Sequence, residues 1–159
     1  MTINIRPIDR EHKKQIVAIT SALENNLFNP NPPSSNESAD VVEEWILNSK
    51  RKPMYRAALM DNLVVGIGGA VEKNLDGYGP FANIYFRVCH NHTGQGIGKA
   101  LAIRGIEEAM ALRLTCLAIT RANNIPAIKL LESLQFRPIK CRSPDLEKSQ
   151  IVFELNPVP

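Results

Sequence analysis

No apolar run in this 159-residue chain approaches the roughly 20 residues of a membrane span, and the opening MTINIRPIDR lacks the apolar core of a signal peptide. A cytoplasmic protein without a membrane partner is the expectation. Histidine is scarce: of His12, His90 and His92 only the last two stand close, as an i, i+2 pair without a third ligand at a usual spacing, so no metal is expected. Cysteine is scarce too. Cys89, Cys116 and Cys141 form no C-x-x-C pair and cannot all be matched in disulfides, which leaves reduced thiols. Nor is there a block of basic charge. Nineteen Lys and Arg against 16 Asp and Glu give +3, and the longest basic run is Lys50-Arg51-Lys52, too mild for nucleic acid but comfortable for an anionic cofactor. The length suits one domain over 1–159 with a sizeable core, and a homodimer is compatible with it.

What the chain does have is a glycine-spaced junction. Residues 93–101 read TGQGIGKAL, directly after the apolar run FANIYFRV at 81–88 and before a helix-like stretch. A backbone that leaves a buried strand through glycines and enters a helix presents unpaired N–H groups at the positive end of the helix, where a phosphate or pyrophosphate fits. Two familiar nucleotide patterns fail here. In a P-loop, Thr93 would have to be glycine and Ala100 a Ser or Thr; in a dinucleotide fingerprint, Lys99 would have to be the third glycine. The spacing alone also fits a plain strand-to-helix turn.

Periodicity orders the rest. A strand at 3–6 leads, after Asp9 as a cap, into a helix with Ile16, Ile19, Leu23 and Leu27 on one stripe. The Pro- and Ser-rich stretch 29–38 reads as a loop, and a second helix from about Ser38 carries Val42, Trp45 and Ile46. Strands at 54–60 and 63–71 flank the hairpin signal Asp61-Asn62, with Gly66, Gly68 and Gly69 marking a bend or close packing. After the strand 81–88 come a helix to about Arg113, a strand at 115–120, a helix with Leu130, Leu131 and Leu134, and strands at 136–141 and 150–155. This order predicts an α/β (α+β) fold: a mixed, largely antiparallel sheet with helices on both faces and one strand-helix-strand crossover around the glycine loop.

Downstream of the loop, Asn124-Ile125-Pro126-Ala127 opens a helix and Gln135-Phe136 follows it. With Thr93-Gly94-Gln95-Gly96-Ile97-Gly98, this resembles the GNAT superfamily of acyl-CoA-dependent N-acyltransferases. In that family a Q/R-x-x-G-x-G/A loop is followed, some 25 residues on, by N-x-x-A on a helix. The matching stretch, 84–136, is about a third of the chain. The resemblance implies acetyl-CoA as co-substrate, its pyrophosphate held by backbone amides of the loop formed by Thr93, Gly94, Gln95, Gly96, Gly98, Lys99 and Ala100. It implies that the edge at Phe86 and Val88 bonds the pantetheine arm and that Asn124 holds the arm from the other side; Asn124 fits the role of helix cap equally.

Three positions depart from the family pattern. Thr93 stands for Gln or Arg, Gln135 for Gly, and Leu131 for the Tyr that protonates the departing thiolate in many members. The last change slows catalysis without forbidding it: a general acid contributes about 10²–10⁴-fold, and a thiol with a pKa of roughly 8.5 can leave as thiolate. A base is harder to find. The parity of Phe86 and Val88, used by relatives, offers only Ala82 and Ile84, whereas Tyr85 lies on the opposite face as a packing aromatic. Glu72, at the end of the preceding strand, is the acidic candidate to order a water, or else a solvated strand end. Glu43, Glu44, Asp145 and Glu147 are the acids expected to face a cationic substrate. The expected activity is N-acetyl transfer to a primary amine of a small molecule or peptide. The alternatives are an idle acyl-CoA sensor, or an interaction domain using Leu27, Phe28 and Trp45.

Overall fold

The computed structural model describes residues 2–51 and 53–155; Lys52 of the basic triplet, and residues 1 and 156–159 of the expected domain, lie outside the described residues. Seven strands, β1 (Asn4–Pro7), β2 (Tyr55–Met60), β3 (Leu63–Leu75), β4 (Tyr78–Val88), β5 (Cys116–Arg121), β6 (Phe136–Ile139) and β7 (Gln150–Leu155), form one sheet. Its order is β1-β2-β3-β4-β5-β7-β6, and every neighbouring pair is antiparallel except β4 with β5. This is the mixed, largely antiparallel sheet that the element order predicts. Helices α1 (Lys13–Ser21) and α2 (Ser35–Leu47) cover one face, with Ile16, Ile19 and Val42 packed on Tyr55, Ala57 and Leu59. Helices α3 (Ile97–Ala111) and α4 (Ile125–Ser133) cover the other, where Ala102, Ala109 and Leu131 meet Ala70, Ala82 and Ile84.

Local chemistry explains where elements begin and stop. α1 ends at Ser21 rather than running on through Leu23 and Leu27, which are 70% and 77% exposed. Two asparagines end it: Asn25 donates to the Ile19 carbonyl and Asn26 to those of Thr20 and Ala22, capturing the acceptors that a further turn would need. α2 starts earlier than Ser38, because Ser34 caps it and Glu37 reaches back to close a capping box. The Ser34-x-x-Glu37 spacing carries that signal in the sequence. Asp61 and Asn62 both take positive φ, 49° and 64°, as a two-residue hairpin turn of this hand requires. At the far end of β3, Gly77 (φ 78°) turns a second hairpin, so β3 runs to Leu75 and β4 begins at Tyr78. Gln135, in the place of a glycine, takes the left-handed conformation at φ 72°.

The glycines of β3 serve close approach. A Cβ on Gly105 of α3 would lie 2.5 Å from the Gly69 carbonyl carbon, so helix and sheet touch backbone to backbone. Next to this contact the sheet opens. β4 and β5 pair only at Ala82–Cys116 and Asn83–Leu117, and beyond them the two strands diverge.

Candidate active site

Where β4 and β5 part, the free edge of β4 has a definite polarity. Main-chain groups of alternate residues in a strand point to opposite sides. The Ala82 amide donates to the Thr115 carbonyl at 2.8 Å, so residues 82, 84, 86 and 88 turn their N–H and C=O toward β5. The Tyr85 and Arg87 carbonyls point the other way, toward Gly68 and Gly66 of β3. Since β5 is paired no further than Asn83, the main-chain groups of Phe86 and Val88 face an open slot.

The glycine loop stands at one end of this slot. Gly94 and Gly96 have φ of 76° and 81°, and Gly96 is the N-cap of α3 without any side-chain cap. The first helical bond runs from the Ala100 amide to the Gly96 carbonyl at 3.0 Å. Ala100 is therefore a correction to the sequence reading, since its N–H is already used and it does not line the cleft. Among the described residues, the amides of 94–99 donate to no protein acceptor. Gly98 is closely packed: a Cβ there would come 3.3 Å from the end of Leu130, which would have to give slightly, and would make ordinary contact at 3.5 Å with Phe86 and Val88. Gln95 does not line the cleft, so only its amide belongs to the row, while Thr93, Gly94, Gly96, Gly98 and Lys99 all border it.

These parts enclose a cleft of about 860 Å³ that runs from the loop along Phe86 and Val88 to Asn124 and the start of α4. Asn124 Oδ1 accepts from the Ala127 amide at 3.2 Å, so it caps the helix and keeps its Nδ2 for a ligand. Leu131 is fully buried at the cleft wall. The row of unpaired amides at a helix N-terminus, open to an extended slot, fits a pyrophosphate with a long amide-bearing arm.

A second cleft, of about 630 Å³, opens on the α1–α2 face, and the two share Asn26, Asn29, Tyr85, Arg87, Ile119 and Gln150. Its aromatic wall is Trp45, Tyr55 and Tyr85, with ring centroids 5.3 Å apart for Trp45–Tyr55 and 5.0 Å for Tyr55–Tyr85. Asn83 Nδ2 donates to the Tyr55 hydroxyl at 2.8 Å. Burial raises the pKa of Tyr55, the Asn83 hydrogen bond opposing, and burial raises that of Tyr85, with Arg87 opposing, so both phenols stay protonated at neutral pH. Partial desolvation lowers that of Lys73, the Glu44 carboxylate opposing. Arg87 Nη1 donates to Asn26 Oδ1 and, at 3.5 Å, to the Thr20 carbonyl, which ties the α1–α2 loop to β4.

Several sequence expectations change here. Glu72 is exposed and lines neither cleft, because the odd-numbered Val71 and Lys73 of β3 face the second cleft and Glu72 faces away. The useful parity of β4 is likewise that of Asn83, Tyr85 and Arg87, since Ala82 and Ile84 are core residues under α3. The alternation of polar Asn83, Tyr85 and Arg87 with apolar neighbours was the available signal. Of the four acids expected to face a substrate, only Glu44 does. Glu43 is held by Arg10 at 2.6 Å and Lys13 at 2.7 Å, Asp145 accepts from the Asp76 amide at 2.7 Å, and Glu147 pairs with Arg121.

Comparison with known proteins agrees with this geometry. The model of the acetyltransferase (GNAT) family matches residues 18–136. No curated protein matches the chain by sequence. Among solved structures, an N-acetyltransferase from Staphylococcus aureus Mu50 superposes with a TM-score of 0.76 at 20% identity, covering 98% of this chain and 99% of that one. The protein yncA of Salmonella typhimurium, solved with its cofactor acetyl-CoA, gives 0.71 at 18% identity over 98% and 92%. The paia N-acetyltransferase of Thermoplasma acidophilum, in complex with coenzyme A, gives 0.70 at 15% over 97% and 98%. At these identities the likeness is one of fold.

Proposed function

Because the chain belongs to the GNAT acetyltransferase family, we propose that it transfers the acetyl group of acetyl-CoA to a primary amine by direct attack, with no covalent enzyme intermediate. The observation that carries this reading is the row of unpaired amides at 94–99 opening onto the same slot as the free edge of Phe86 and Val88. In the reaction the amine nitrogen bonds to the thioester carbonyl carbon, the C–S bond breaks, the amine proton passes to water and the thiolate leaves. The amides of Gln95, Gly96, Gly98 and Lys99 hold the pyrophosphate, assisted by the α3 dipole. Phe86 and Val88 align the pantetheine arm from one side and Asn124 Nδ2 from the other. The outward N–H near Val88 polarises the thioester carbonyl, and proximity supplies most of the remaining acceleration.

Proton handling is left largely to water. Tyr85 keeps its proton, Glu72 faces away, and Leu131 occupies the place of an acid. Such a site favours the less basic acceptor: an amine with a pKa near 7.8 is neutral in about one molecule in seven at pH 7, a lysine side chain in about one in 2500. The test is a melting-temperature rise with acetyl-CoA, joined to thiol release across lysine, α-amine, polyamine and aminoglycoside acceptors. Gly96→Glu places a carboxylate in the cradle at a positive φ and is expected to remove both signals; an unchanged rise in the variant would overturn the loop assignment. The second reading, an idle acyl-CoA-binding module, is favoured by Leu131 alone and predicts the rise without any thiol release.

A further inference from the structure

The second cleft bears on which amine is used, and this step rests on the transferase reading above. Four charged side chains line it among the described residues: Glu44, Arg51, Lys73 and Arg87. Glu43, Asp145 and Glu147 are tied to partners outside the cleft, so cations outnumber anions among the residues that line it. A polyamine or other polycation would be repelled there.

Arg87 is the cation best placed to act. It lies on the wall common to both clefts, beside the slot where the thioester carbonyl would lie. Asn26 and the Thr20 carbonyl engage Nη1 and the Tyr85 ring lies 5.9 Å from the guanidinium carbon, which leaves the Nε and Nη2 edge without an acidic partner among the described residues. Because its anchor on the α1–α2 loop fixes the guanidinium plane, the free edge is preorganised for a planar oxyanion. A further polar group waits nearby. The Ser38 hydroxyl, on a residue 2% exposed that lines the same cleft, has no hydrogen-bond partner.

We propose that the acceptor is an amine that also carries a carboxylate, most simply a free amino acid, with the free edge of Arg87 binding the carboxylate and the Trp45–Tyr85 wall receiving the side chain. Pairing with Arg87 offsets the carboxylate's hold on the ammonium proton, which eases formation of the neutral nucleophile.

The test compares thiol release from acetyl-CoA with L-amino acids, their carboxamides, phosphoethanolamine and spermidine. The expected result is a kcat/KM for the amino acid about tenfold or more above that of its amide, as loss of a charge-assisted hydrogen bond predicts. In Arg87→Gln this ratio should collapse toward one while the acetyl-CoA melting shift persists, which also reports that the variant folds. Equal or better turnover of the amide, a preference for spermidine or phosphoethanolamine, or an unchanged ratio in the variant would each overturn the proposal and leave acetyl transfer standing. If no acceptor releases thiol, calorimetry with N-acetylated amino acids and their amides decides. Tighter binding of the carboxylate supports the acceptor site while the transferase reading fails, and equal binding overturns the site as well.

Discussion

The two clefts that meet at β4 are made of different material. On the loop side the available groups are main-chain amides, at 94–99 and along Phe86 and Val88, held open because no partner strand or side chain among the described residues satisfies them. On the α1–α2 side they are side chains from scattered elements: Ser38 and Trp45 on α2, Tyr55 on β2, Lys73 on β3, Asn83 and Arg87 on β4. A main-chain site depends on backbone path and tolerates most changes of residue. A side-chain site depends on identity, so one substitution can change what it binds. The first arrangement suits a constant co-substrate, the second a variable acceptor.

That contrast can be broken most severely at Gly105. Valine there drives a Cβ to 2.5 Å from the Gly69 carbonyl carbon, and the expected cost is about 3 kcal/mol in chemical denaturation, with loss of the acetyl-CoA melting shift as α3 lifts from the sheet. A variant of unchanged stability would show that backbone contact does not fix the cradle. Asn124 sharpens the contrast from the other direction, being the one side chain assigned to hold the co-substrate. Asn124→Ala should lose about 1 kcal/mol of helix capping, whereas Asn124→Asp keeps the Oδ1 cap, removes the donor and adds a negative charge. A KM for acetyl-CoA raised in both variants, and still raised for aspartate at a salt concentration that screens the added charge, marks the donor as used; an increase confined to alanine reduces Asn124 to a cap.

Leu131→Tyr is expected to leave thiol release undiminished in steady-state assays with a working acceptor, because a phenol there adds an acid, while the cost of fitting a larger ring at a fully buried position falls on stability. Abolished activity in a folded variant would show that Leu131 has a role beyond packing. The smallest effect belongs to the α1–α2 wall. Hydrogen bonds and charge from Arg10 and Lys13 lower the Glu43 carboxyl to about 2 from 4.5. A depressed folded-state pKa stabilises above the unfolded value and is lost as pH falls through the folded one. The melting-temperature difference between the native protein and Glu43→Gln should thus be present at neutral pH and vanish between about 4.5 and 2, and it should be small because the pair is solvent-exposed. A difference that persists at the lower end would assign it to packing.

The same division explains what could be read in the sequence. The loop's backbone path was legible because glycine spacing reports conformation directly: Gly94 and Gly96 do adopt positive φ, and Asn124 does cap the next helix. The order of elements along the chain followed from hydrophobic periodicity, and with it the mixed sheet. The second cleft was not legible, since its lining comes from positions that only tertiary pairing assembles. The parity carried over from relatives selected Ala82 and Ile84, which the sheet buries under α3. Glu43 and Glu147 looked available because nothing in a linear sequence places Arg10, Lys13 and Arg121 beside them. The end of α1 escaped notice for a related reason: a stripe through Leu23 and Leu27 satisfied periodicity, while Asn25 and Asn26 competed for the carbonyls.

The two-pair junction between β4 and β5 has a mechanical consequence. It divides the sheet into a block of β1 to β4 and a block of β5 to β7, stitched along the main chain at Ala82 and Asn83 and otherwise joined by α3 with its flanking loops, by the hydrogen bonds of Tyr78 to Glu154 and of Asp76 to Asp145, and by the packing of Phe81 on Leu117 and Val152. A molecule whose amide-bearing arm lies in the gap takes the place of the missing stretch of strand and bridges the two blocks, so its binding energy also becomes cohesion between them. The chain is then least cohesive when empty, and occupancy stiffens the frame on which the acceptor side chains are mounted.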